Sequence, residues 1–121
     1  MSWFRKKDNQ QSSYRVSVRD ADVAREHINS GIRKAAEQGD VEAQSHLGTC
    51  YRIGLGVDKD DAEAFKWFWK AAEQGHADAQ CNLALIYLER MDITEALKWF
   101  GKAAKQGHAE AKEYLKQLGV R

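Results

Sequence analysis

The 121-residue sequence has no proline, so no position in it forbids a long helix. It has only two cysteines, too few for a disulfide framework in a chain this size, and a reducing, cytoplasmic setting is the simplest expectation. No apolar run approaches the ~18 residues that mark a membrane-spanning helix. The opening Met1-Ser2-Trp3-Phe4-Arg5-Lys6-Lys7 puts its charges after two aromatics and leads into no apolar stretch, unlike a secretory signal. The formal net charge of +1 argues neither for nor against nucleic acid, and no nucleic-acid partner is expected. Catalytic patterns are also missing. There is no clustered Ser/His/Asp or Cys/His arrangement, no phosphate loop and no paired catalytic carboxylates, and Gly54-x-Gly56 is too short for a dinucleotide site. The chain is therefore read as non-enzymatic, with no cofactor.

What is present is a repeat. Ala71–Gln80 reads AAEQGHADAQ; it occurs earlier as AAEQGDVEAQ at Ala35–Gln44 and later as AAKQGHAEAK at Ala103–Lys112. Neighbouring copies agree at seven of ten positions, at spacings of 36 and then 32 residues. Self-similarity at such a period signals a stacked array of small helical units. The paired alanines allow close helix approach while favouring helix, and the glycine ends one helix just before a small residue begins the next. The stretch is thus a joint between units, with joints near residues 39, 75 and 107.

Residues 1–19 carry five cations and one acid, a net +4, and include the aperiodic polar run Asp8-Asn9-Gln10-Gln11-Ser12-Ser13; they read as a flexible basic tail. Residues 20–121 form the repeat domain. A first helix is expected from near Asp20 or Asp22 to about Gln38, and a second over roughly Val41–Ile53. The third and fifth helices start behind Asp60 and Asp92, each followed three residues later by a glutamate, the spacing of a capping box. A fourth helix is expected at about Ala77–Arg90 and a sixth at Ala109–Leu118.

The residues Ala43-Gln44, Leu47-Gly48, Tyr51, Gly54-Leu55-Gly56-Val57, Lys59-Asp60, Ala64, Trp67-Phe68 and Lys70-Ala71-Ala72-Glu73-Gln74-Gly75 resemble one full unit of the Sel-one-like repeat family, relatives of the tetratricopeptide repeats. The resemblance covers about residues 24–118. The second unit departs from it by losing the glycine loop, where Met91-Asp92 makes a shorter turn. The resemblance implies an all-α, right-handed solenoid of antiparallel helix pairs, about two and a half units here, that serves as a protein-binding scaffold or adaptor. Such repeats are abundant in bacteria.

Positions that fail to repeat are the candidates for function. Cys81, Leu85 and Leu88 form a second apolar stripe on the fourth helix, where the preceding unit has Ser45, Thr49 and Arg52. In the related repeats these positions face the concave surface. The stripe is read as a groove for an apolar or basic-apolar segment, with an acidic rim of Glu42, Asp78, Glu89, Glu110 and Glu113 beside Arg52; burial caused by the shortened turn after Arg90 is the alternative. Trp69 stands where the next unit has Gly101, and either covers a helix or anchors a partner. Tail residues Tyr14, Arg15, Val16, Val18 and Arg19 match the chemistry of a groove occupant, in cis or exchanged within a homodimer. A metal site is not expected: His46 and Cys50 supply two ligands where zinc needs three or four, and His76 and His108 are explained by repetition. A Cys50–Cys81 bridge is not expected either, because their offset along neighbouring helices exceeds disulfide reach. The rival classes are a hydrolase with an unrecognised site and a membrane-surface adaptor led by Trp3-Phe4-Arg5-Lys6-Lys7.

Overall fold

The computed structural model describes residues 22–23, 25–26 and 31–120. The basic tail, its expected groove-docking segment and part of the first helix lie outside the described residues. Six helices are defined among the described residues: α1 (Arg33–Glu37), α2 (Val41–Ile53), α3 (Asp61–Glu73), α4 (Ala77–Glu89), α5 (Ile93–Lys105) and α6 (Ala109–Gln117). No strand occurs among them. Ile32 already has helical backbone angles, and residues 22–23 and 25–26 are also helical.

Each helix packs chiefly against the one before and the one after it, most extensively within the pairs α2/α3 and α4/α5. Nearest-neighbour packing of this kind builds a helical solenoid rather than a closed bundle. No described helix is long and apolar enough to cross a membrane.

The joints explain their composition. After α3, the left-handed Gly75 (φ 91°) lets its own N–H donate to Ala72 (3.0 Å) and the His76 N–H donate to Ala71 (3.2 Å). This pair of bonds is the Schellman arrangement, which satisfies carbonyls left open at a helix end. The same bonds recur at Gly39 and Gly107, and again after α4, where Met91 occupies the left-handed position at φ 65°. A side chain there costs about 1–2 kcal/mol.

Helix starts are capped by side chains. Asp60 accepts from the Glu63 N–H (3.1 Å) and Asp92 from the Glu95 N–H (3.2 Å). The reciprocal half of the expected capping box is replaced. The Asp60 and Asp92 N–H groups already donate to the carbonyls of Tyr51 and Tyr87 (each 2.9 Å), so Glu63 and Glu95 turn to Lys66 (3.2 Å) and Lys98 (3.6 Å).

The core runs between the helix layers. Phe68, Phe100, Leu47 and Leu83 are fully buried, each contributing about 1.5–3 kcal/mol by leaving water. Gly48 is a steric requirement: a Cβ there would lie 2.9 Å from the Phe68 ring. Trp67 and Trp99 are buried at equivalent positions, as their repetition implies.

Candidate functional site

The two glutamines of the repeated stretch form a ladder through the joints. Gln44 Nε2 donates to the Ala36 carbonyl (3.1 Å), and Gln74 Nε2 donates to Gln44 Oε1 (2.9 Å). One unit on, Gln80 donates to Ala72 (3.1 Å) and Gln106 donates to Gln80 Oε1 (3.0 Å). Gln44 and Gln80 are buried, and an unpaired buried amide costs about 1–3 kcal/mol, so the bonds hold successive units in register. Lys112 takes the third equivalent position.

The joint histidines add a second ladder. His76 Nδ1 accepts from the Ala79 N–H (3.1 Å) and His108 Nδ1 from the Ala111 N–H (3.2 Å), so each caps its helix. With Nδ1 accepting, the ring proton sits on Nε2. It points back to the preceding unit: His76 to Glu42 (3.3 Å) and His108 to Asp78 (2.7 Å). Arg52 and Glu89 make a third cross-unit link at 2.7 Å. These contacts place α2, α4 and α6 side by side as one face.

On that face a cleft of about 300 Å³ is lined by Glu42, Ser45, His46, Thr49, His76 and Asp78. A smaller one of about 210 Å³ lies on α6, between Glu110, Glu113, Tyr114 and Gln117. Leu85 and Leu88 are half-buried and rest on the core, while Thr49 and Glu89 are exposed. Thr49 donates from its hydroxyl to the Ser45 carbonyl (3.3 Å). Cys81 is only 2% exposed and belongs to the core, and Ser45 at the equivalent place is buried too. The first stripe position therefore turns inward in both units, and the accessible apolar part begins at Leu85.

Trp69 lies elsewhere. It stacks on Phe65 (centroids 6.0 Å) and meets Trp99 edge-on (5.5 Å), while Phe65 meets Tyr87 edge-on (5.5 Å). Phe65, Lys66, Trp69, Lys70 and Tyr87 line an open, shallow cavity of about 440 Å³ that shares no residue with the α2–α4 cleft. Burial, followed by Glu95 and Asp92, pushes the Tyr87 phenol above its ordinary range.

Cys50 and Cys81 are free and buried. Burial, reinforced by Glu110 and Asp78, pushes the Cys81 thiol up to about 11, so it stays protonated near neutrality. Cys81, His108 and Glu110 bring one ligand atom each within 4.8 Å of one another. They do not make a donor set for a metal. Both His108 nitrogens are engaged, and a closed zinc site needs a fourth ligand.

Comparison with known proteins gives one consistent answer. The family model described as Sel1 repeat matches residues 32–40, 41–76 and 77–108. A crystal structure of a Sel1 repeat protein from Oxalobacter formigenes is similar over 72% of this chain and 26% of its own, with 40% identity and a TM-score of 0.70. A second is c5321, a protective antigen present in uropathogenic Escherichia coli strains that displays an SLR fold; it is similar over 90% of this chain and 27% of its own, with 27% identity and a TM-score of 0.70. The chain thus spans about a quarter of the length of either structure. No curated protein matches it.

Proposed function

The chain belongs to the Sel1 repeat family, whose fold suggests a protein-interaction scaffold, and from that premise we propose that it binds a partner segment along the α2–α4–α6 face as a non-enzymatic adaptor or small regulator. One observation carries this reading: Leu85 and Leu88 are half-buried on α4 where α2 has exposed Thr49 and ion-paired Arg52. Neither leucine is needed to satisfy the repeat. The same helices carry exposed carboxylates at Glu42, Asp78, Glu89, Glu110 and Glu113, the first three of which also meet His76, His108 and Arg52. That combination favours a basic segment with apolar side chains, the charge speeding encounter and the apolar contact holding the complex.

The tail residues Tyr14, Arg15, Val16, Val18 and Arg19 have this chemistry. The chain itself, in cis or from a second copy, is therefore one source of the occupant. Deleting residues 1–19 then raises partner binding or abolishes a dimer, both readable by size-exclusion chromatography with light scattering.

The reading is tested with Leu85→Thr/Leu88→Arg, which installs the residues α2 carries at the same positions. Affinity capture compares this variant with the native chain, with circular dichroism as the folding check. A folded variant that loses the partners held by the native chain supports the reading. A folded variant that keeps them all places binding elsewhere.

A further inference from the structure

We propose that the cavity between Phe65, Trp69 and Tyr87 is a second docking site, which takes a short acidic segment of a partner protein carrying one aromatic anchor. The inference goes beyond the α2–α4–α6 reading and does not rest on it, since the two surfaces share no lining residue.

The cavity is open and has an aromatic floor. Its volume of about 440 Å³ lies within the size range of small-ligand pockets, ample for one aromatic side chain. The repeat does not need Trp69, because the next unit is built with Gly101 in its place and α5 is still a full helix. Trp69 is nonetheless held in position by Phe65 on one side and Trp99 on the other. A pre-positioned, half-buried aromatic cluster accepts an incoming ring at little cost in side-chain ordering.

The charges around the floor select the sign of the partner. Lys66, Lys70 and Arg90 stand at its edge. Carboxylates nearby are engaged: Glu63 with Lys66 (3.2 Å), Glu95 with Lys98 (3.6 Å), and Asp92 as the cap of α5 (3.2 Å). Lys70 and Arg90 have no ion-pair partner among the described residues. Each instead lies over a ring, Lys70 Nζ at 4.9 Å from the Trp67 centroid and Arg90 Cζ at 4.8 Å from that of Phe65. Arg90 thus sits over a ring of the floor, while the Lys70 ammonium lies over Trp67, which does not line the cavity; these unmatched cations complement acids beside an aromatic anchor. The chain's own Trp3-Phe4 is flanked by Arg5, Lys6 and Lys7, which is the wrong sign for this site.

The test titrates the isotope-labelled full chain with the peptide acetyl-Asp-Glu-Phe-Asp-Glu-amide and follows the Trp69 indole N–H by NMR. Two control peptides replace Phe with Ala, or all four acids with Lys. Saturable shifts of the Trp69 signal with the acidic Phe peptide are expected. Roughly tenfold weaker binding is expected for Lys70→Glu/Arg90→Glu, for the Ala peptide and for the Lys peptide. Leu85→Thr/Leu88→Arg should bind the acidic peptide unchanged, which separates failure here from failure at the other face. The proposal is overturned by no saturable shift, by equal binding of the basic peptide, by undiminished binding in the charge-reversed variant, or by binding to phosphatidylserine vesicles in place of the peptide.

Discussion

Gln106 Nε2 donates to Gln80 Oε1 at 3.0 Å, and Gln74 makes the same bond to Gln44 at 2.9 Å one unit earlier. The repeated glutamines are therefore not a partner motif. They carry the register of the stack, each buried amide joining one unit's joint to the next.

Replacing Gln80 with leucine removes the acceptor for Gln106 and the donor to Ala72 while keeping the volume filled. A loss of about 1–3 kcal/mol is expected in urea unfolding. Lys112→Gln, at the end of the ladder, should change stability by less than about 0.5 kcal/mol, because it is exposed.

Met91 is 81% exposed yet sits at φ 65°, where the other joints have glycine. Met91→Gly relieves the backbone strain and gives back some of the gain as unfolded-chain entropy. Thermal unfolding should rise by a few degrees, for a net gain of about 0.5–1 kcal/mol. Met91→Val, branched at Cβ, should lower it.

The Cys81 thiol is pushed from its ordinary 9.0 to about 11, chiefly by burial. In the folded chain it keeps its proton where the unfolded chain has lost it. Its contribution is thus full below pH 9 and lost as pH rises towards 11. The native chain should lose more stability than Cys81→Ala between pH 8.5 and roughly pH 10.5, measured as the difference in unfolding midpoints. Below pH 8 the thiol should resist alkylation unless the chain is unfolded.

The helix pairs and joints were legible in the sequence because they depend on local chemistry repeated at a fixed period. Asp60 and Asp92 cap where their spacing says, and the second helix spans Val41–Ile53 as expected. The links between units were harder to read. His76 and His108 look like products of repetition until Nδ1 is seen capping one helix and Nε2 reaching the acid of another, about 30 residues away. The capping boxes are half-formed because the Asp60 and Asp92 N–H groups already close the preceding helix ends on the Tyr51 and Tyr87 carbonyls. Within the candidate stripe, helical spacing grouped Cys81 with Leu85 and Leu88, but spacing does not report depth. The neighbouring helices bury Cys81 and leave the leucines half-open. Trp69 was picked out by its failure to repeat; its separation from the groove needed the packing of Phe65 and Trp99 around it.

Docking of a partner on the α2–α4–α6 face is read out by hydrogen–deuterium exchange on the captured complex of the full chain with that partner. Slowed exchange is expected in α4 and along α2, at peptides containing Leu85, Leu88 and Thr49, with the joints unchanged. Slowed exchange confined to α3 and α5, with α2 and α4 as in the free chain, would contradict it.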